Sequence, residues 1–413
     1  MKLGKHTLMI DGNYFIYSRL FVMPRRADKQ LLESEKDQGQ FMRKLCIDFA
    51  SEVRKMKPFI DEIVLAVDSK SWRKDFYPEA EYKGTRKQDD SVNWEAVYRI
   101  YGEFRTLLAK QGVIVQQTSG AEADDVLFAR ATDLNNRGKN CIVWTGDRDM
   151  IQLVDYTQAT DGYTLWYYNT KRNLIGFPGF TELLNTQTAI DISNDDLLFN
   201  LNNKDSQSDD IKAQINLWIH NNNVNIEEID AREFIFKKIL TGDKSDNINS
   251  VVTYTKEMKT GQYRTFSITD KQADKILMQY EKDYGTFEVE QLFIPECKTH
   301  MSEVICRVIK YSTVSDTLKK LNLNVQLMLL HVRTIPEAIL SAIYNDMDKS
   351  NLDLNIHVLS QMERILEGTD WTNNNGINTN TPDNFDPFSG LNLVNTTKQK
   401  ELPKVKKIDT GLF

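Results

Sequence analysis

The stretch TLMIDGN, residues 7–13, joins an apolar run to an aspartate, and this pattern recurs twice further along the chain. IVLAVDS (63–69) places Asp68 after a second apolar run, and IVWTGDRD (142–149) ends a third run with two more aspartates. Short apolar runs bounded by polar residues are typical of buried β-strands. Polar side chains directly after such strands are typical of an open parallel sheet, which binds ligands at the carboxyl ends of its strands.

The first 150 residues alternate between strand and helix patterns. Buried strands are predicted at 7–10, 63–67, 113–115 and 141–144. Between the strands, apolar residues recur at spacings of three and four, which predicts helices around 41–56, 97–108 and 126–134. This alternation predicts an α/β domain with a mostly parallel sheet.

The remainder of the chain changes character twice. The α/β region is expected to span 1–179 and is followed by a polar, asparagine-rich stretch, which we interpret as a surface insertion over 180–228. Regular apolar spacing then returns and predicts a mainly helical region over 229–367. Residues 368–413 are too polar to bury a core and predict a disordered tail.

The composition is that of a globular protein without a membrane segment. Hydrophobic residues make up 40% of the 413 residues, no apolar run reaches the length of a membrane span, and the first apolar run stops at Asp11. The four cysteines show no CxxC spacing and the five histidines are scattered. We therefore expect a reduced, cytoplasmic protein in which any metal is held mainly by oxygen. We also expect a monomer.

The net charge of −7 argues at first against a nucleic-acid partner, but the charge is unevenly distributed. The segment 70–87 (KSWRKDFYPEAEYKGTRK) carries six lysines and arginines against three acids. A basic segment beside an acidic cluster is expected in a protein that binds phosphate with one surface and cations with another.

Further acids are expected at the same edge of the sheet. The stretch SGAEADDV (119–126) leads into a predicted helix, and TGDKSDN (241–247) adds two aspartates. The candidate metal ligands are Asp11, Asp68, Glu122, Asp124, Asp125, Asp147, Asp149, Asp243 and Asp246. Like charges so close cannot all ionise without cations, and oxygen ligands favour Mg²⁺ or Mn²⁺. Two such ions suit phosphodiester hydrolysis.

Each of these acids also has a simpler interpretation. Asp11 alone is typical of a helix N-cap, and Ser119 with Glu122 matches a capping box. The pair 124–125 alone is typical of a solvated helix start, and Asp246 of a turn. Because acidic residues recur after every predicted strand, the metal cluster is favoured over these simpler interpretations.

Together the motifs LMIDGN, IVLAVDSKSWRKDFYPEAEYKGTRK, AEADDVLFA, TGDRDMIQL and ILTGDKSDNI resemble the flap endonuclease/5′-3′ exonuclease family. The resemblance implies a PIN-like α/β nuclease core and two Mg²⁺ ions, for which Mn²⁺ can substitute. It implies that one ion is held mainly by Asp11, Asp68, Glu122 and Asp124, and the second near Asp125, Asp147, Asp149, Asp243 and Asp246. It also implies removal of RNA primers and flaps during phage-type DNA replication.

The chain departs from this family after GDKSDNI. Most members continue into a glycine-rich helical hairpin that clamps duplex DNA, whereas here NSVVTYTKEMKTGQYRTF has no paired-glycine turn. We expect Lys256, Lys259 and Arg264 to contact the duplex instead.

The basic segment follows the Asp68 strand, where the family begins an arch over the active site. We expect a catalytic role, drawing the scissile phosphate onto the metals, for Arg73, Lys74, Lys83 and Arg86. Trp72 and Tyr82 are expected to stack on an unpaired base, and Lys87 to bind nucleic acid. The alternative is a solvated basic loop with a core tryptophan.

The terminal stretch KVKKIDTGLF resembles peptides that dock onto a sliding clamp, with Ile408, Leu412 and Phe413 as apolar anchors. An ordinary chain end is the alternative. The expected partners are branched or nicked DNA, RNA–DNA duplex, a sliding clamp and single-strand-binding protein, and no membrane. The alternative functions are a PIN-type ribonuclease of single-stranded RNA and a non-catalytic nucleic-acid-binding replication protein.

Overall fold

A mostly parallel, eight-stranded sheet forms the centre of the computed structural model, which describes residues 5–25, 29–85, 88–185 and 211–349. The strands are β1 (His6–Asp11), β2 (Ile60–Ala66), β3 (Ile114–Gln116), β4 (Asn140–Trp144), β5 (Asp155–Thr157), β6 (Gly162–Tyr168), β7 (Asn173–Gly176) and β8 (Asn225–Glu228). β1 and β4 are buried along their whole length, as expected for parallel strands covered on both faces.

The strand order is β3-β2-β1-β4-β6-β7-β8, with β5 paired to β6. β1 is parallel to both β2 and β4, and β2 is parallel to β3. The chain therefore moves outward from β1 to β3 and then returns to the other side of β1. The carboxyl ends of these four strands share one edge, and the direction of winding reverses between β1 and β4, where open α/β sheets bind their ligands.

Seven helices accompany the sheet in the described ranges, and three of them lie where the apolar spacing predicts helices. They are α1 (Gly12–Leu20), α2 (Glu35–Met56), α3 (Trp72–Phe76), α4 (Trp94–Lys110), α5 (Ala123–Asn136), α6 (Phe180–Asn185) and α7 (Ile211–Asn221). Short 3-10 helices span Lys57–Phe59, Pro78–Ala80 and Arg148–Leu153. On α2, Phe41, Leu45 and Phe49 recur every four residues and are all fully buried.

The region after β8 has its own apolar core. Its elements are α8 (Ala231–Thr241), the hairpin β9 (Thr253–Glu257) and β10 (Tyr263–Ser267), α9 (Asp270–Tyr284), a 3-10 helix (Val289–Phe293), α10 (Pro295–Ile309), α11 (Val314–Met328) and α12 (Glu337–Lys349). Phe236, Leu240, Ile276, Val304 and Leu321 are among the buried side chains that pack together here. The mainly helical character predicted for this region is confirmed for the residues that the structure describes.

The four predicted strands and three predicted helices are confirmed, with the second strand beginning three residues early at Ile60. One local prediction is wrong. The residue that caps α5 is Glu122 rather than Ser119, and its capping-box partner is Asp125. None of the described helices is long and apolar enough to cross a membrane.

The domain boundaries stay predictions. β8, which lies inside the predicted insertion 180–228, is hydrogen-bonded to β7 of the central sheet, so the end of that segment is part of the core fold. Most of the rest of the predicted insertion, together with the predicted tail 368–413 and its clamp-docking residues, lies outside the described residues.

Candidate active site

Carboxylates from several elements meet at the carboxyl edge of the sheet. Asp11 ends β1, Asp68 follows β2, and Asp147 follows β4, while Glu122 and Asp124 lie at the start of α5. The strand order brings these positions to the same edge, as the sequence predicts. We refer to these five residues as the carboxyl-edge cluster.

Both carboxylate oxygens of Asp11 accept hydrogen bonds from the protein. One carboxylate oxygen accepts a hydrogen bond from the Tyr14 amide at 3.0 Å and caps α1, and the other accepts from the Thr145 hydroxyl at 2.8 Å. Burial, with added repulsion from Asp68 and Asp147, raises the pKa of Asp11 to about 7. The helix-cap interpretation is therefore correct locally, and the same side chain also belongs to the cluster.

Asp68 and Asp124 complete the crowded part of the cluster. Asp68 accepts hydrogen bonds from the Ala123 amide at 2.6 Å and from the Asn13 side chain, yet burial raises its pKa. Burial and the charge of Asp147 hold the pKa of Asp124 well above its usual range. Burial, the larger cause of both shifts, and repulsion from neighbouring acids each disfavour the charged carboxylate.

Asp125 is bound by two side chains of the basic segment. Arg73, which is 2% exposed, donates to both carboxylate oxygens of Asp125 at 2.9 and 3.1 Å and to Glu122 at 3.0 Å. The Arg73 side chain also donates to the Leu327 carbonyl at 3.0 Å, and the Trp72 indole donates to Asp125 at 3.0 Å. Asp125 is thus committed to a buried ion pair, which is a structural role.

These contacts correct three expectations from the sequence. The Arg73 guanidinium and the Trp72 indole are buried against Asp125 and do not lie at a surface where phosphate or a base could contact them. Tyr82 is buried as well, because its hydroxyl donates to Glu122 at 3.1 Å and its ring packs against Leu327. The core-tryptophan alternative is the correct one for Trp72.

The other basic side chains of the segment differ from one another. Lys74 is exposed, and Lys83 is half-buried with its ammonium against Glu122. Although burial opposes it, Lys83 together with Arg73 lowers the pKa of Glu122. Arg86 and Lys87 lie outside the described residues.

A second group of acids adjoins the cluster. Burial and the charge of Asp147 raise the pKa of Asp149 to about 6, even though Asp149 contacts the Lys238 ammonium. Asp243 contacts the same ammonium, and despite partial burial, hydrogen bonds from Lys238 and Ser245 lower its pKa to about 2. The half-buried Asp246 lies on the same loop as Asp243.

The donor set fits hard divalent cations in its chemistry. All the acids brought to the edge offer oxygen, the ligand type that such cations prefer. In the described part of the chain, no three carboxylate, histidine or cysteine side chains surround one point closely enough to hold an ion as they stand. Ligation by these residues would therefore need side-chain adjustment or intervening water.

Sequence reasoning missed several contributors. Asn13 and Thr145 stand inside the motifs LMIDGN and TGDRD, so their position beside aspartates was a usable signal. Lys238 gave no signal, because it is one of two adjacent lysines in α8 and follows no recognisable motif.

The fold and the site define an α/β domain with an acidic crevice at the switch point of an open, mostly parallel sheet. Residues 6–176 match the family model described as 5′-3′ exonuclease, N-terminal resolvase-like domain.

Among individual proteins, the DNA polymerase I of Rhizobium leguminosarum is 26% identical over 157 residues, covering 37% of this chain and 15% of the polymerase. The 5′-3′ exonuclease of Aquifex aeolicus is 26% identical over 151 residues, covering 36% of this chain and 48% of that protein. The chain thus matches about half or less of the length of these curated relatives.

Two solved structures are also similar to the chain. The T5 D15 protein co-crystallized with metal ions gives a TM-score of 0.46 at 14% identity and covers 84% of this chain and 100% of that chain. Human GEN1 in complex with Holliday junction DNA gives 0.40 at 13% identity, covering 90% of this chain and 76% of that chain.

The buried ion pair predicts a large loss of stability on truncation. Arg73→Met leaves Asp125 and Glu122 buried without their partner and should lower the free energy of unfolding by about 3–5 kcal/mol. Lys74→Met, one position along and exposed, should change it by no more than about 0.5 kcal/mol. Urea unfolding followed by circular dichroism measures both, and equal small losses would contradict the structural role of Arg73.

The raised pKa of Asp11 predicts how stability depends on pH without divalent ions. The unfolded carboxyl ionises near its ordinary pKa of about 4, whereas the folded one holds its proton to about 7. Stability contributed by this group is therefore lost as pH rises from about 4 to 7. Asp11→Asn keeps an oxygen for the Tyr14 amide, and its NH2 group can donate to the Thr145 hydroxyl. Because this side chain is neutral at every pH, the variant should flatten this decline and raise stability at pH 8.

Thermal unfolding in chelator at pH 5 and pH 8 tests this, with the exposed Asp61→Asn as control. Parallel pH dependences for wild type and Asp11→Asn would show that Asp11 is not the group responsible.

Proposed function

We propose that the protein is a divalent-metal-dependent 5′ nuclease that hydrolyses phosphodiester bonds in branched or nicked nucleic acid. The observation that supports this most directly is the carboxyl-edge cluster, which lies within the segment that matches the family model of the 5′-3′ exonuclease N-terminal domain. Removal of RNA primers and flaps during phage-type replication is the role that fits this activity.

Two Mg²⁺ ions, replaceable by Mn²⁺, are the proposed cofactors. Asp11, Asp68, Glu122 and Asp124 would hold one ion, and Asp147, Asp149, Asp243 and Asp246 the other. Bound ions would activate water and neutralise charge that develops on the phosphate. Asp125 is left out of the ligand set because its oxygens are occupied by Arg73 and Trp72. Glu122 also accepts from Arg73 and Tyr82, so it would hold an ion only through the oxygen that Lys83 contacts, after Lys83 is displaced.

The protein's own groups would prepare this chemistry. The Tyr14 amide and Thr145 hydroxyl fix the orientation of the Asp11 oxygens, which reduces reorganisation when charge develops. Lys83 lies against Glu122 at the crevice and is the basic side chain best placed to approach a phosphate there. Its backbone amide donates to the Asp246 carbonyl at 2.9 Å, which joins the basic segment to the second group of acids.

The β9–β10 hairpin is the proposed duplex-binding surface. Lys256 lies directly opposite Arg264 across the two strands, and both are exposed, as is Lys259 near the turn. Like charges paired in this way destabilise a hairpin, and neither Lys256 nor Arg264 has an ion-pair partner within the described ranges. Phosphate oxygens would supply the missing negative charge.

Other proposals extend beyond the described residues. Docking to a sliding clamp through Ile408, Leu412 and Phe413, and binding of single-strand-binding protein, stay predictions.

A PIN-type ribonuclease and a non-catalytic replication protein remain the alternatives. A panel of single-stranded RNA, 5′-flap, nicked, gapped and RNA-primed duplexes discriminates among them, because only the proposed nuclease should prefer the branched substrates.

Cleavage of a 5′-flap duplex is expected in Mg²⁺ or Mn²⁺ and not in chelator. Asp68→Asn and Asp147→Asn should each slow cleavage at least about 100-fold, since an amide is a neutral, weaker ligand. Asp61→Asn, exposed at the start of β2, should cleave at the wild-type rate. Full cleavage in chelator, or exclusive attack at 3′ ends, would contradict the proposal.

Replacing both hairpin cations should weaken duplex binding without changing the fold. In Lys256→Ala/Arg264→Ala, the slope of log K against log salt concentration should become shallower by about 0.9 for each phosphate that the variant no longer neutralises. The matched control is Lys110→Ala/Lys139→Ala, which removes two exposed lysines from the opposite edge of the sheet. Fluorescence anisotropy with a labelled duplex measures both slopes, and equal slopes would rule out the hairpin as the binding surface.

A further inference from the structure

Lys238 extends from α8 to the acidic edge of the nuclease core. Its ammonium contacts Oδ1 of Asp149, which follows β4, and Oδ2 of Asp243, which follows α8. The Lys238 side chain is 23% exposed and that of Asp243 14%. The three groups therefore form a largely enclosed bridge between the α/β core and the helical region.

The oxygens in this bridge are those that a divalent cation would need. The other oxygen of Asp243 already accepts from the Ser245 amide at 2.7 Å and the Ser245 hydroxyl at 2.6 Å. The Asp149 amide donates to Asp147 at 2.9 Å, which fixes the backbone beneath the Asp149 carboxylate. Lysine brings a compact positive charge with three donors and no acceptor, so it mimics a cation at this position.

We propose that Lys238 is a built-in competitor of the second divalent ion, sharing with it the oxygens of Asp149 and Asp243. This inference rests on the proposed metal-dependent nuclease function. In the free protein the ammonium neutralises these carboxylates and keeps the affinity for a second ion low. Nucleic acid adds phosphate oxygens and negative charge, so the second ion is taken up together with the substrate.

The neighbouring lysine provides the contrast. Lys237 pairs with Asp274 at 2.7 Å and with Glu233 at 3.8 Å on the outer side of α8, away from the cluster. It is of the same residue type and in the same helix, and it touches none of the proposed ligands. Lys237→Met therefore controls for the loss of a helical lysine.

The test is Mn²⁺ binding without nucleic acid, with free Mn²⁺ quantified by electron paramagnetic resonance. Wild type and Lys237→Met should bind a second Mn²⁺ at least about tenfold more weakly than the first. Lys238→Met should tighten the second site by about tenfold, which corresponds to about 1.4 kcal/mol. Lys238→Arg keeps the charge and should retain the weak second site.

Thermal unfolding keeps the test valid if a variant is less stable. Lys238→Met should unfold at a lower temperature than wild type in chelator, and saturating Mn²⁺ should raise its midpoint by more than that of wild type. If Lys238→Met binds the second Mn²⁺ with unchanged or weaker affinity, the inference is overturned. The same holds if the only effect of Lys238→Met is weaker binding of nucleic acid.

The remaining outcomes separate this inference from the proposed function. If wild type binds two Mn²⁺ ions tightly, the proposed competition between Lys238 and the second ion is overturned, but the proposed nuclease function is not. Absence of Mn²⁺ binding in wild type and in every variant overturns both.

Discussion

At the carboxyl edge of the sheet, negatively charged side chains lie close enough to raise one another's pKa, and cationic side chains partly compensate for this repulsion. Burial and repulsion raise the pKa values of Asp11 and Asp149. Lys83 and Lys238 each place an ammonium against one or two of the acids. A fold organised only for stability would not concentrate charge in this way, because each uncompensated buried carboxylate lowers stability. The arrangement is typical of sites that use the charge.

The same charges connect the two halves of the described chain. Arg73, which neutralises Asp125 in the core, also donates to the Leu327 carbonyl of α11. The backbone amide of Lys83 donates to the backbone carbonyl of Asp246, and the ammonium of Lys238 in α8 contacts the Asp149 carboxylate. The helical region is therefore attached to the α/β core through groups that surround the acidic crevice. Changes of charge in the crevice should consequently affect how firmly the helical region is held.

The basic segment 70–87 shows where reasoning from the sequence fails. Counting six cations against three acids correctly indicated an unusual local charge. It could not separate Lys74, which is exposed, from Arg73, which is buried, because burial depends on partners supplied by other elements. A buried guanidinium needs paired acids, and the Glu122 and Asp125 carboxylates on α5 become its partners only after folding.

The sequence by itself determined the four strands β1–β4 and the acids that follow them, because apolar runs and the geometry of parallel sheets are local rules. It did not predict β5–β8 or the β9–β10 hairpin. Tertiary structure decided which acids face the crevice. Asp124 and Asp125 are adjacent, but successive residues of a helix point about 100° apart, so Asp124 lies under the influence of Asp147 whereas Asp125 is bound by Arg73. Only the packing of α8 against the core brought Lys238 to Asp149, since that contact joins residues distant in sequence and no local pattern encodes it.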